Sequence, residues 1–323
     1  MKIVITGGAG FIGSHLVERL LIENHKVTII DDLSTGSFEN IKQFTKNKNF
    51  AFVIESILNK TVMDRIISEC DYIYHLAAAV GVEMVVNDPV HTIETNVLGT
   101  DMVLKIANRY RKPIVIASTS EIYGRGVSER FKEDDDRLMG AIQNHRWSYA
   151  CSKSLDEFLA LAYFKQKELP VTVCRFFNTI GTKQTGQYGM VVPRFVQKAI
   201  RNQEINVYGD GTQSRSFCNV LDTVRALSII KDSPITVGEI YNVGNTEEIS
   251  IADLAVKIIE LTSSKSTVKF IPYSQAYGEG FDDMQRRKPN IDKIYEHIAW
   301  KPVFSLEQTI MQVIEYERNI MNE

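Results

Sequence analysis

The chain has 323 residues, of which 44% are hydrophobic and 24% are charged, and its formal net charge is −3 at pH 7. This is the composition of a globular protein that can bury a full core, in one large domain or two modest ones. The slightly negative charge excludes a general electrostatic attraction to nucleic acid or to an anionic membrane.

The cysteines and the N-terminal residues indicate the compartment. The four cysteines are far apart and lack metal-ligand spacing, so we expect reduced thiols and no metal site: Cys70, Cys151, Cys174 and Cys218. The apolar run in the opening "MKIVITGG" is too short to be the apolar region of a signal peptide. No run in the sequence approaches the roughly 20 apolar residues of a membrane span. We therefore expect a cytoplasmic protein with neither a membrane nor a nucleic-acid partner.

Apolar runs alternate with helical patterns from residue 2 to about 176. In chain order they are "KIVIT", a helix over 11–23, "KVTII", "FAFVI", a helix over 60–69, "YIYHLA", a helix over about 89–109, "PIVIA", a helix over about 147–167, and "VTVCRFF". Such alternation predicts βαβ units and an α/β fold with a doubly wound parallel sheet of the Rossmann type.

The pattern changes after Asn178, where "GTKQTGQYG" is typical of a loop and shorter elements follow. The run "EIYNVG" at 239–244 again predicts a strand of the main sheet. We therefore expect one domain from residues 1–178 plus roughly 213–248, interleaved with a smaller one from roughly 179–212 plus 249–323.

The segment "GGAGFIG" follows the first strand and opens the first helix, with Gly7, Gly10 and Gly13 at three-residue spacing. Glycines there permit a tight turn and close approach of a pyrophosphate to the backbone at a helix N-terminus. The second strand ends in Asp31, followed by Asp32. An acid at this distance is typical of ribose 2′-hydroxyl binding and would repel NADP, so the first domain is predicted to bind NAD. The alternative is that Asp31 and Asp32 lie in a solvent-exposed turn and bind no ribose.

The segment "RWSYACSK" places Tyr149 and Lys153 one helical turn apart, where an ammonium can lower the pKa of the phenol so that it accepts a proton from a sugar hydroxyl. The same spacing recurs at Tyr163 and Lys167. Two tyrosines roughly 21 Å apart along one helix cannot reach the same nicotinamide. We choose Tyr149, because it lies at the helix start, near the sheet edge where α/β proteins bind ligands.

These motifs, with others, resemble the extended short-chain dehydrogenase/reductase family that acts on nucleotide-diphosphate sugars. The matching segments are "TGGAGFIGSHL", "YHLAA", "NVLGT", "STSEIYG", "YACSK", "FFNTIG", "GDGTQSRSF" and "QRRKPNI". The resemblance implies a bound NAD that oxidises carbon 4 of the sugar and is later restored, and a homodimer formed through the helices at about 89–109 and 147–167.

The resemblance also implies a set of NAD-binding residues: Gly7, Gly10, Phe11, Ile12, Gly13, Asp31, Asp32, Ser34, Gly36, Ser56, Ile57, Leu76, Ala77, Ala78, Asn96, Ser118, Tyr149 and Lys153. Ser56 stands where the family usually has an aspartate that binds adenine, which predicts looser adenine binding. Thr182 and Lys183 replace the usual Pro-Arg, which removes an arginine from the expected substrate contacts.

For the substrate, the resemblance implies that Thr119 bonds the 4-hydroxyl, that Tyr149 is the base, and that Lys153 holds the nicotinamide ribose. The expected contacts to the nucleotide diphosphate or sugar are Asn178, Val191, Tyr208, Arg215 and Arg287. Without such a substrate, Asn178 would simply be an amide in a turn, and Arg215 and Arg287 would be surface arginines.

The triplet Thr119, Ser120 and Glu121 bears on the reaction. In the 4,6-dehydratase branch of the family this triplet looks like Thr-Asp-Glu, and the aspartic acid protonates the leaving hydroxyl. A serine hydroxyl is too weak an acid for that step. In the UDP-glucuronate decarboxylase branch the triplet looks like Thr-Ser-Glu, as it does here. We therefore expect decarboxylation of UDP-glucuronate to UDP-xylose or its 4-keto form, with Glu121 and Arg287 near carbon 5. A UDP-sugar or UDP-uronate 4-epimerase is the alternative, followed by a non-enzymatic NAD-binding sensor or scaffold; Glu121 could also merely cap a loop or pair with an arginine.

Overall fold

Seven parallel strands form the central sheet of this computed structural model, which describes residues 1–81, 85, 87–186, 190–277 and 284–322. In spatial order the strands are β11 (Ile240–Val243), β6 (Val171–Phe176), β5 (Ile114–Thr119), β4 (Tyr72–His75), β1 (Lys2–Thr6), β2 (Lys26–Asp31) and β3 (Phe50–Ile54). The strands other than the edge strand β3 are mostly buried on both faces, as a parallel sheet covered by helices requires, whereas Phe52 and Ile54 of β3 are exposed.

Helices cover both faces of this sheet. They are α1 (Phe11–Ile22), α2 (Glu39–Lys42), α3 (Lys60–Ser68), α4 (Pro89–Ile93), α5 (Gly99–Tyr110), α6 (Arg146–Lys167) and α8 (Val220–Lys231). One apolar cluster, with Leu16 and Leu227, lies on one face, and another, with Leu104 and Ala160, on the other. The predicted helix over 89–109 is interrupted, because a π-helical turn, Glu94–Leu98, joins α4 to α5.

The remaining elements are shorter. They are β7 (Thr179–Ile180), α7 (Val191–Ile200), β8 (Ile205–Tyr208), β9 (Ser214–Ser216), β10 (Cys218–Asn219), β12 (Glu248–Ser250), α9 (Ile251–Thr262), β13 (Val268–Ile271), α10 (Tyr273–Tyr277), β14 (Arg286–Arg287), α11 (Asp292–Ile298) and α12 (Leu306–Asn322), with 3₁₀ turns at Ser120–Tyr123 and Pro234–Thr236. These strands form three small sheets. One has three strands in the order β12, β9, β14, and the other two pair β13 with β8 and β10 with β7.

Helices α7, α9 and α12 share a separate apolar core, which includes Phe195, Leu254 and Ile310. This core favours a second domain, while β11 joins the main sheet as its sequence predicts. The residue boundaries of the two domains stay a prediction.

The predicted α/β fold with a doubly wound parallel sheet is confirmed. Strands β1, β2, β4 and β5 end at the same edge, where ligands bind in open α/β sheets, and α1 begins there. Among the helices of the described residues, none combines the length and apolarity needed to cross a membrane.

Candidate functional site

A cavity of about 480 Å³ lies at the carboxyl edge of the sheet and extends to α7, β9 and β14. Every residue predicted to bind NAD lines it except Gly36 and Asn96, and so do Glu121 and all residues predicted to contact the substrate. The structure therefore brings together sequence segments that lie up to 280 residues apart, from Gly7 to Arg287.

The glycine turn between β1 and α1 forms one wall of the cavity. Gly7 has φ +72°, and a β-carbon on it would lie 2.7 Å from the backbone nitrogen of Ala77. A β-carbon on Gly13 would lie 2.1 Å from the carbonyl oxygen of Gly7. Only glycine fits both positions, and the first turn of α1 is thereby held against the ends of β1 and β4 with its N–H groups toward the cavity. This geometry fits a pyrophosphate.

Asp31 ends β2 at the cavity wall, as predicted. Its carboxylate accepts hydrogen bonds from the backbone nitrogens of Ala9 and Leu33, both at 2.9 Å. Burial raises the pKa of Asp31, while these hydrogen bonds lower it. The carboxylate is thus fixed at the strand end rather than solvated in a turn, while the Asp32 carboxylate accepts from Ser34 in the following turn.

Two residues predicted to bind NAD lie behind the cavity wall. The Asn96 side chain accepts from the backbone nitrogen of Ala79 at 2.9 Å and donates to the Ser152 hydroxyl at 3.2 Å. Gly36 lies against the Asp31 carboxylate, which a β-carbon would approach to 2.8 Å. Both residues support cavity-lining neighbours.

Tyr149 and Lys153 lie near the start of α6, and both line the cavity. Burial raises the pKa of Tyr149, the Glu121 charge raises it further, and a hydrogen bond with Thr119 lowers it. The Lys153 ammonium donates to Asp156 at 2.8 Å. In the chain by itself the pKa of Tyr149 is therefore raised, mainly by burial. The effect of the Lys153 ammonium on this phenol stays a prediction.

The second Tyr-Lys match does not reach the cavity. Tyr163 packs against the apolar cluster on the α3 side of the sheet, and the backbone oxygen of Lys167 accepts from Arg111. The choice of Tyr149 over Tyr163 is consistent with this placement.

Glu121 lies in the 3₁₀ turn after β5, between two arginines. Arg287 of β14 donates to its carboxylate, and Arg146 of α6 lies 3.3 Å away. Burial alone would raise the pKa of Glu121, but the two guanidinium charges and the Arg287 hydrogen bond lower it to about 2. Glu121 therefore pairs with arginine, which is its non-catalytic alternative from the sequence. It also lines the cavity beside Thr119. The three side chains together carry a net charge of +1.

A buried ion pair fixes α6 against the sheet. Arg175 of β6 donates to Glu157 of α6 at 2.8 Å, and the Ser118 hydroxyl donates to the same carboxylate. Ser118 is predicted to bind NAD and does line the cavity, but its hydroxyl is bonded to Glu157 and helps to anchor α6.

The substrate end of the cavity is formed by the second part of the chain. Asn178 donates to the backbone oxygen of Ser216 at 2.8 Å, and Arg215, with Val191 and Tyr208, faces the same space. Lys183 points elsewhere: its ammonium lies 3.9 Å from Glu18 and over the ring of Phe44. This position therefore supplies no substrate cation.

Sequence reasoning missed Arg146 and Asp156. Arg146 stands three residues before Tyr149 in "RWSYACSK", and Asp156 stands three residues after Lys153. Spacing of three places each on the helix face of its neighbour, which was the available signal.

The chain is similar to several known proteins over almost its whole length. The model of the GDP-mannose 4,6 dehydratase family matches residues 4–313. The UDP-N-acetyl-alpha-D-glucosaminuronate decarboxylase of Bacillus cytotoxicus is 41% identical over 323 residues, 100% of this chain and 99% of that one. UDP-glucuronic acid decarboxylase 1 of Danio rerio is 36% identical over 98% of this chain and 72% of its own length.

Among solved structures, the UDP-glucuronic acid 4-epimerase of Bacillus cereus, in complex with UDP-glucuronic acid and NAD, superposes with a TM-score of 0.90. It is 26% identical and covers 99% of this chain and 100% of that one. The glycine turn, the fixed Asp31 and the cavity over them fit the same dinucleotide.

Proposed function

Because the chain belongs to the GDP-mannose 4,6 dehydratase family and is an NAD-dependent nucleotide-sugar enzyme, we propose that it decarboxylates a UDP-linked uronic acid, UDP-glucuronate first, through a 4-keto sugar. The observation that carries the proposal is Glu121 held between Arg146 and Arg287, beside Thr119 and Tyr149 in one cavity. The product is UDP-xylose if the hydride returns to carbon 4 and the Tyr149 proton to its oxygen, or the 4-keto form if the cofactor leaves reduced.

We assign NAD binding to the residues predicted from the sequence that line the cavity, with Gly36 and Asn96 supporting them from behind. The glycine turn would receive the pyrophosphate, Asp31 would bind the adenosine ribose, and Lys153 would bind the nicotinamide ribose. When bound, NAD supplies a hydride acceptor at carbon 4 of the sugar and a positive charge near Tyr149.

Oxidation requires Tyr149 to take the proton of the 4-hydroxyl, which Thr119 orients, as the carbon-4 hydride leaves. Burial raises the pKa of this phenol, and a positive charge on the nicotinamide ring would offset that effect. The resulting 4-ketone makes the uronate a β-keto acid. Its bond from carbon 5 to the carboxyl breaks, carbon dioxide leaves, and the electron pair forms an enolate whose oxygen is held by Tyr149 and Thr119.

The two arginines account for a carboxylated substrate. Arg146 and Arg287 line the cavity beside Glu121, where their guanidinium groups can also bind the carboxylate of a uronate substrate. Glu121, with a pKa of about 2, is no proton donor near pH 7. It orders the water that protonates carbon 5 after carbon dioxide has left.

Ser120 counts against dehydration. Its hydroxyl stands where the dehydratase pattern has an aspartic acid, and a hydroxyl is too weak an acid to protonate a leaving hydroxyl. A UDP-uronate 4-epimerase is the second candidate, favoured by the structural likeness to the Bacillus cereus enzyme. Such an enzyme would keep the carboxylate that this chain is proposed to remove.

We also propose a cytoplasmic homodimer. All four cysteines are free thiols, which suits a reducing compartment. Helices α4 to α6 expose apolar side chains at Val90, Ile93, Leu155 and Phe158, which a second copy would cover.

The deciding experiment mixes protein and NAD with UDP-glucuronate or UDP-N-acetylglucosaminuronate, and follows carbon dioxide release and the NMR spectrum of the sugar. We expect carbon dioxide from at least one of them, and loss of that activity in Tyr149→Phe. A galacturonate product with its carboxylate intact would make the chain an epimerase instead. No hydride transfer with any UDP-sugar would overturn the proposal.

A further inference from the structure

A buried carboxylate that the proposed reaction does not use lies directly behind Lys153. Asp156 is 1% exposed and Lys153 2% exposed, and the lysine ammonium donates to Asp156 Oδ2 at 2.8 Å. Asp156 is absent from the cavity wall, so it touches neither substrate nor NAD. Tyr149, Lys153 and Asp156 follow one face of α6 at spacings of four and three.

Asp156 is itself fixed by a chain of buried polar groups. The Thr100 side chain lies beside it and lowers the pKa of its carboxyl group, and the Thr100 hydroxyl lies 3.1 Å from His75 Nε2. His75 Nδ1 lies 2.7 Å from the Thr6 hydroxyl, which accepts from the backbone nitrogen of Ala77 at 3.2 Å. Burial lowers the pKa of His75 to about 3, so its ring is neutral near pH 7 and adds no charge. The chain ties Asp156 to the ends of β4 and β1.

We propose that Asp156 is a positioning residue, which holds the Lys153 ammonium in place and offsets part of its charge, so that it sets the pH at which Tyr149 becomes a base. A buried ammonium without a counterion would be costly to keep charged. The carboxylate removes that cost but also weakens the field that favours tyrosinate. This inference concerns the oxidation step and rests on the proposed function only through the sugar used to observe it.

Other charges face Tyr149 as well. Glu121 comes from the turn after β5, Arg287 from β14, and Arg146 and Lys153 from α6 itself. Both Glu121 and Asp156 raise the pKa of Tyr149, and Arg287 lowers it. Replacing Asp156 by a neutral residue therefore lowers the pKa of the phenol while the other charges stay in place.

The test is the pH dependence of single-turnover NAD reduction, followed at 340 nm with UDP-glucuronate. In Asp156→Asn we expect the acid limb of the curve of rate against pH to move to lower pH by about one unit, because the pKa of Tyr149 falls. Asp156→Glu, which keeps the charge, should retain the native limb. Glu307→Gln is the matched control, because Glu307 also pairs with a lysine at 2.8 Å, Lys257, remote from the cavity.

An acid limb in Asp156→Asn that superposes on the native one overturns the proposal, even if the rate falls, because a merely structural role predicts a slower enzyme with unchanged pH dependence. If Asp156→Asn does not fold, Asp156→Ser removes the same charge, leaves room for a water, and carries the same expectation. Hydride transfer is common to the decarboxylase and the epimerase. Its absence in the native protein would count against the proposed function, whereas an unshifted limb counts against Asp156.

Discussion

At the scale of single residues, Glu121 shows how a buried carboxylate acquires a stable charge. It lies in the 3₁₀ turn after a parallel strand, where burial alone would raise its pKa. Arg146 and Arg287 prevent this and keep the pKa at about 2. The charge of Glu121 is therefore constant across the neutral pH range, and titration near pH 7 belongs to other groups.

Glu121→Gln should slow carbon dioxide release at least about 100-fold while NAD content stays native, since it removes the charge that orders water and the arginines. Glu248→Gln is the control: Glu248 also has a pKa of about 2, because of Arg286 and other hydrogen bonds, but does not line the cavity. We expect its rate to be native. Equal rates in the native protein and Glu121→Gln would remove Glu121 from the mechanism.

At the scale of elements, the junction of β1 with α1 and the start of α6 meet at one edge of the sheet. The glycine turn brings α1 against the β4 end, and the Arg175–Glu157 pair holds α6 against β6. Cofactor and base are thereby presented from separate rigid elements, which keeps their distance fixed.

Gly13→Ala should weaken NAD binding and destabilise the fold by about 1–3 kcal/mol, because its β-carbon would meet the Gly7 carbonyl and push α1 away. NAD content after purification and urea unfolding measure the two effects. Gly186→Ala is the control, since its β-carbon meets only the end of the flexible Gln197 side chain. Native NAD content in Gly13→Ala would show that the turn can relax without loss of the site.

At the scale of the whole molecule, the exposed apolar side chains of α4 and α6 form the surface to which we assign the proposed dimer contact. Leu155 is 51% exposed and Phe158 59% exposed on α6, the helix that also carries Tyr149 and Lys153. Association through this face would stiffen the catalytic helix from the side opposite the sheet.

Leu155→Glu and Phe158→Glu should each convert a dimer into a monomer of 36.6 kDa, since a charge in a buried apolar interface is costly. Light scattering after size exclusion measures the mass. Ile320→Glu on α12, also exposed at 49%, should leave the dimer intact. A native monomer, or dimers in all three variants, would contradict the proposed interface.

The sequence by itself determined the parallel sheet, the glycine turn and the place of Asp31 at the end of β2, because each depends on local periodicity or on spacing within one βα unit. It also predicted Tyr149 over Tyr163 as the base, from the position of Tyr149 at the start of its helix. Only the tertiary structure decided what surrounds them. Arg287 meets Glu121 across 166 residues, and the pKa of Tyr149 depends on burial and on charges from three separate elements. Long-range electrostatics of this kind leave no periodic signal in the chain, since they arise only when distant elements pack around one cavity.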